Sequence, residues 1–460
     1  MLDNNFNREL KSILHYVLEY GIKHTSFKVD YAKLLKSKGE NVEFISNVHT
    51  GFMKAQNLII QNLLQLGKKR DTIKKQIKEL NKQKASKESL EKSKYNLKVI
   101  EYKESVLRKI ADTIAWQLLG FDRTIIRRLY SFTSQVEIFN SNLKHDLEVV
   151  EEIFKSDKTK FPLVNDITSF IQVGDLLVRE LDSPDIKLIE LKEGKVNDEI
   201  AKIVEEYEEI PCDRRLHYQL EDKDEKFKKQ FNRYVKQKSS ALNKTNIINT
   251  GSGTDEVTGL NIQTVNETFY TEHFDEVVAS MIKEVDKRNY SFRTIDGCLI
   301  VGVYNTSKMP IHTGFDMWKE SVGIGFPTID LRSSVSSPLS YPLFLHPFSI
   351  NDKVKLINGE KVIYMSLDID KWLKMFEDKG VNVTLLSKKQ TARFNTTQIH
   401  SKVFEYKGQA IEIEYKNVKQ MLSDGIFERM FNQFLRPSSA IEFFKYGHDK
   451  VGTFLESPLV

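Results

Sequence analysis

The sequence predicts an α/β chain of the α+β kind: a helical N-terminal segment, a mixed sheet flanked by helices, and a mixed α/β C-terminal module. Three observations carry this. Apolar residues recur at helical spacing through the first 150 positions. Short Val/Ile/Leu-rich runs bounded by turn residues begin near Phe170. In the last third the two periods mix. The expected divisions are 1–95, 96–305 and 306–460.

Ile59, Ile60, Leu63, Leu64 and Leu66, then Ile73, Ile77 and Leu80, mark one face of a long helix. The stripe fades over 81–93, where a turn or frayed end is expected. It resumes through Val106, Leu107, Ile110, Ile114 and Leu118 and stops at Gly120. Further helical patterns cover 124–132 and 136–154. Strands are expected at 170–181 and 186–192, joined by Asp182-Ser183-Pro184-Asp185. Ile200, Ile203, Val204 and Tyr207 define a helix closed by Pro211, and Phe227, Phe231, Tyr234 and Val235 define another. A loop at 249–253, a helix at 274–287 and a strand at 297–304 follow. Asn358-Gly359, between apolar runs 354–357 and 361–367, predicts a β-hairpin. A short helix over 370–378 is expected to end at Gly380, and 333–342 reads as a loop.

The chain has 460 residues, which allows two to four domains at roughly 100–200 residues each. With 28 Phe, 17 Tyr and 3 Trp it can build a core, which excludes a wholly disordered chain. No apolar run of about 18 residues exists, so no membrane partner is expected. Cys212 and Cys298 stand alone and support neither a disulfide framework nor a four-thiolate zinc site. The opening Met1-Leu2-Asp3-Asn4-Asn5 lacks a secretory pattern, and a cytoplasmic location is expected. Residues 68–109 hold 15 Lys/Arg against 6 Asp/Glu, a local net of +9; the chain totals +5, so the rest carries −4. Such a stretch suits a polyanion, or it is simply a solvated, Lys-rich helical hairpin.

The chemistry-bearing pattern is Asp175 in the first expected strand and Glu190-Leu191-Lys192 in the second. With a four-residue loop at 182–185, Leu181 pairs with Ile186, Asp175 with Lys192 and Leu177 with Glu190. Asp175, Glu190 and Lys192 then share a sheet face, Asp175 and Glu190 being diagonal neighbours roughly 7–8 Å apart at the backbone and closer at the side chains. Two hard oxygen ligands suit Mg²⁺ (or Mn²⁺), and a neighbouring lysine suits a water-activating or charge-stabilising role.

This pattern resembles the PD-(D/E)XK superfamily of restriction-endonuclease-like nucleases. The resemblance covers roughly residues 96–305, including the runs 110–116 and 165–168. It implies a restriction-endonuclease-like sheet and a Mg²⁺-dependent nuclease acting on DNA, with a role in defence against foreign DNA. It implies Asp175, Glu190 and Lys192 as catalytic residues, and Asp175 and Glu190 as metal ligands. A helix carboxylate, Glu101 or Glu104, completes the set, with Glu104 taken as the third ligand. Gln230, Arg233 and Gln237, a polar stripe on the following helix, are the expected substrate contacts. The helical N-terminus or the C-terminal module could hold a protein partner or a second copy.

Glu-x-Lys alone carries no weight, because it recurs elsewhere, most seriously at Glu414-Tyr415-Lys416 on another expected strand. The literal Pro184-Asp185 lies in a turn. The competing reading of Asp175–Lys192 is a solvated cross-strand salt bridge. Two other functions stay open: a nuclease fold without activity that binds nucleic acid or protein, and an interaction protein docking its Lys-rich helices on an acidic partner. The scattered histidines, the missing Gly-x-Ser-x-Gly elbow and the missing Walker loop give no other enzyme class.

Overall fold

The computed structural model describes residues 2–24, 42–130, 143–180, 185–191, 195–254, 261–263, 269–306, 311–397 and 403–456. The chain is mixed α and β, and every strand pairing among the described residues is antiparallel. The expectation of a sheet with both pairing directions is not met within those residues. Two compact units are present, one of Arg8–Asn266 and one of Met1–Asn7 with Glu267–Val460. The expected division at 95/96 falls inside a helix, Lys87–Leu118, and that at 305/306 falls at the end of a sheet strand, Leu299–Asn305.

The Arg8–Asn266 unit is built on two long antiparallel helices, Val42–Lys82 and Lys87–Leu118. Phe44, Ile45, Val48, Phe52, Ile59, Ile60, Leu63 and Leu66 bury the first helix at three- and four-residue steps. The turn between the helices is tighter than expected. Lys84 takes φ 51°, and Ser86 caps the second helix by accepting the Ser89 N–H at 3.3 Å. The second helix ends at Leu118, and Gly120 follows at φ 62°, as expected of a stop. The helix expected at 124–132 is Arg123–Arg128, and that at 136–154 is Leu143–Ser156; 131–142 lie outside the described residues.

A three-stranded meander follows: β1 (Phe161–Val164), β2 (Leu176–Arg179) and β3 (Ile186–Ile189), in the order β1-β2-β3. β1 was not anticipated. β2 is shorter than the expected 170–181, because the chain from 165 to 175 forms a 3-10 turn and bends instead. Helices Lys195–Glu209, Asp213–Glu221 and Glu225–Thr250 come next, with Ile200, Ile203, Val204, Phe227 and Phe231 forming a shared apolar cluster. The last of these helices continues through the expected loop to Thr250, and Gly251 closes it at φ 74°.

In the other unit, four strands run Tyr290–Ile295, Leu299–Asn305, Lys361–Leu367, Ile329–Asp330 across one sheet. The helix Asp275–Arg288 and the helix Ile369–Asp378 match expectation, the latter closing at Gly380, φ 76°. The hairpin expected at 354–367 is overturned. Residues Ile350–Ile357 form a helix capped by Ser349, whose Oγ accepts the Asp352 N–H at 3.1 Å. Gly359, at φ 72°, ends that helix and turns the chain into the Lys361–Leu367 strand. A second sheet carries Asn382–Leu385, Gln409–Tyr415 and Val418–Met421.

Candidate functional site

Asp175 enters β2 through Gly174, which holds φ 70°. A Cβ there would meet the Ile189 carbonyl oxygen at 3.0 Å, so only glycine fits without strain. Two neighbours, Ile189 and Asn165, fix the backbone. The Asp175 N–H donates to the Ile189 carbonyl at 2.7 Å, and the Asn165 N–H donates to the Asp175 carbonyl at 2.9 Å. The buried Asn165 side chain donates from Nδ2 to the carbonyls of Val173, at 3.0 Å, and Gly174, at 2.9 Å.

The β2–β3 register differs from expectation by two residues. Leu177 faces Leu188, not Glu190, and the last pairs are Leu176↔Ile189 and Arg179↔Ile186. The connection therefore spans 180–185. One cause is visible at its far end: Asn249 accepts the Ile186 N–H at 2.9 Å and donates to the Ile186 carbonyl at 3.1 Å, fixing that residue from the Glu225–Thr250 helix. A slide of two keeps the alternation of faces. Asp175 and Glu190 each stand one residue outside the last pair, and the Asp175 carboxylate accepts the Leu191 N–H through Oδ2. Both residues thus lie at the same end of the hairpin. Lys192 lies outside the described residues.

Glu104 is placed elsewhere than expected. Its carboxylate is paired with Arg70 at 3.0 Å, the two side chains being 13% and 14% exposed. Burial raises its pKa, while Arg70 and Arg108 pull it down. Among the described residues no group of three or more His, Cys, Asp or Glu is placed to hold a metal, so Glu104 does not join Asp175 and Glu190 there. The Arg70 and Arg108 charges give its buried carboxylate a nearer counter-charge. Arg108, whose pKa burial lowers, donates to the carbonyls of Asp166 and Thr168. Glu101 is exposed.

Gln230 donates to Asn197 at 2.6 Å, which ties its helix to Lys195–Glu209. Arg233 is exposed and Gln237 half-buried on the same helix. That helix packs beside β3, since the Tyr234 phenol, raised first by burial, also feels the charges of Glu205, Glu208 and Glu190. The rival Glu414 lies on its expected strand but beside Lys419, at 3.7 Å, while Lys416 pairs with Asp449 at 2.9 Å.

One feature beneath the site escaped the sequence. Lys109 and Asp112, both fully buried, pair at 3.0 Å, and Asp112 also accepts the Ser169 N–H at 2.6 Å and the Ser169 hydroxyl. With Arg108 they lock the Lys87–Leu118 helix to the 165–169 turn, which in turn carries Asn165. Asp and Lys three apart on a helix read as a solvent-facing pair, and only the run of apolar neighbours at 110–116 hinted at burial. No helix of the described residues is long and apolar enough to cross a membrane. Comparison with family models, with curated proteins and with solved structures gives no match, so the arrangement of these side chains must carry the functional argument by itself.

Proposed function

We propose that the β2–β3 end is the centre of a metal-dependent nuclease acting on DNA, in a restriction-endonuclease-like arrangement of helix, antiparallel meander and following helix. The observation that carries it is the Asp175 carboxylate seated on the Leu191 amide, which ties it to the chain one residue beyond Glu190. The donors are hard carboxylate oxygens, and Mg²⁺ takes one or two carboxylates while keeping its waters, so Asp175 and Glu190 fit Mg²⁺ or Mn²⁺. Held by Asp175 and Glu190, such an ion would supply polarisation of a phosphoryl oxygen and a water of lowered pKa. Asp175 is held in place by Asn165, Gly174 and the Leu191 amide. Lys192, two residues beyond Glu190, is assigned the proton transfer from water, and Arg233 an outer phosphate contact.

The test is cleavage of supercoiled plasmid with Mg²⁺ or Mn²⁺ by the wild type and by Asp175→Ala, Glu190→Ala and Lys192→Ala. Each substitution is expected to lower the rate by at least about a hundredfold. Equal activity in wild type and all three variants, pointing to a contaminant, sinks the proposal. A second reading rests on the same hydrogen bond: a carboxylate that braces the Leu191 amide has a structural role of its own. The chain is then an inactive relative of that fold that binds nucleic acid or a protein, and calorimetric titration of the wild type with Mn²⁺ shows no uptake that Asp175→Ala removes.

A further inference from the structure

We propose that the free end of the long helical hairpin, residues 68–98, is an arm that grips the nucleic-acid backbone without reading sequence. The buried residues of the Val42–Lys82 helix end at Gly67, and those of its partner begin at Ser93 and Ile100. Beyond them Ile73, Ile77 and Leu80 are half-covered, and the rest is largely exposed. This end holds 12 Lys/Arg against 4 Asp/Glu, a net of +8.

Its placement is specific. Lys68, Lys75 and Lys82 are seven apart, with Lys78 between them, so they line one face opposite the apolar seam over about 21 Å. All four are exposed, and Lys75, Lys78 and Lys82 take part in no ion pair among the described residues. On the second helix, Lys87, Lys94 and Lys98 share a flank near Tyr95, a residue that is 62% exposed. Lysines are point charges that meet phosphates without a bidentate code, and an exposed ring offers a base-stacking surface. An anionic membrane is the poorer fit, because the apolar residues are turned into the helix pair and leave no face to insert.

The experiment measures fluorescence anisotropy of a labelled DNA duplex of about 30 base pairs, in EDTA, across a salt series. The wild type is expected to bind with a log–log salt slope of roughly −4, as for about four neutralised phosphates. The triple variant Lys75→Glu, Lys78→Glu, Lys82→Glu is expected to bind at least about tenfold more weakly, with a slope shallower by roughly three. The matching triple Lys→Gln variant, with unchanged helical circular dichroism, is expected to fall between. The arm rests on the nucleic-acid reading proposed above, but binding is measured in EDTA, so its failure is read separately from a failure of metal-dependent cleavage. The arm is overturned by either lysine triple binding duplex like the wild type. It is equally overturned by tighter binding of the wild type to vesicles of about 30% phosphatidylserine than to duplex. A change confined to self-association, through the acidic stretch 195–225 of a second copy, overturns it as well.

Discussion

Asn165 gives both side-chain amide hydrogens to the carbonyls of Val173 and Gly174, and so decides how the chain arrives at Asp175. Asn165→Ala leaves two carbonyls without that partner in a buried place. It is expected to cost about 2–4 kcal/mol in urea unfolding; a loss under about 0.5 kcal/mol would show that another group takes over. The Lys109–Asp112 pair has a sharper test. Asp112→Asn strands a buried ammonium and is expected to cost about 3–5 kcal/mol, whereas Lys109→Met with Asp112→Leu restores part of it. A double variant no better than the single one would refute that account. His49 sets an acid limit. Burial among Phe52 and Phe161 pushes its pKa from 6.5 down to about 4. The unfolded chain takes up the proton first, so stability is present above pH 6.5 and is lost as pH falls toward 4, by about 3 kcal/mol. In His49→Gln that slope is expected to flatten in denaturant titrations at stepped pH.

At the level of elements, the meander has two edge strands, and each is closed by a side-chain amide. Gln56 donates to the Pro162 carbonyl at 3.2 Å and accepts the Val164 N–H at 2.9 Å, acting as a missing strand beside β1. Asn249 does the same at Ile186 of β3. Asn249→Ala is expected to speed hydrogen exchange of the Ile186 amide by more than about tenfold, with the Leu177 and Val178 amides unchanged. Uniform acceleration would mean global destabilisation instead. These clasps join residues more than 60 positions apart, so no local pattern announces them. The long helices were legible because apolar spacing alone dictates them. Asn358-Gly359 misled for a physical reason: a hairpin turn and a helix C-terminus both want a left-handed glycine, and the helical burial of Lys353, Val354, Leu356 and Ile357 decided between them. β1 is four buried residues, too short for any period to show. In the candidate site, the hairpin pattern was enough to place Asp175 and Glu190 at neighbouring positions on adjacent strands' ends. The two-residue register offset and the Arg70 grip on Glu104 depend on distant partners and were not readable.

The whole molecule consists of two compact units, and the helix Lys87–Leu118 runs through the 95/96 border, which followed the span of the resemblance. The basic stretch 68–98 is a local feature of one helix pair, not a domain boundary. Each unit buries its own aromatic residues, Phe52, Trp116 and Phe161 in one and Phe274, Phe344 and Trp372 in the other. Calorimetry is therefore expected to resolve two transitions, with His49→Gln moving one of them; a single transition shifted as a whole would contradict it. The amide clasps matter at this scale too. An open sheet margin is a template on which further chains can stack. By filling the hydrogen-bonding positions of β1 and β3 from their own helices, Gln56 and Asn249 deny that template to neighbouring molecules, and a chain lacking both should turn turbid and bind thioflavin on standing while the native one stays clear.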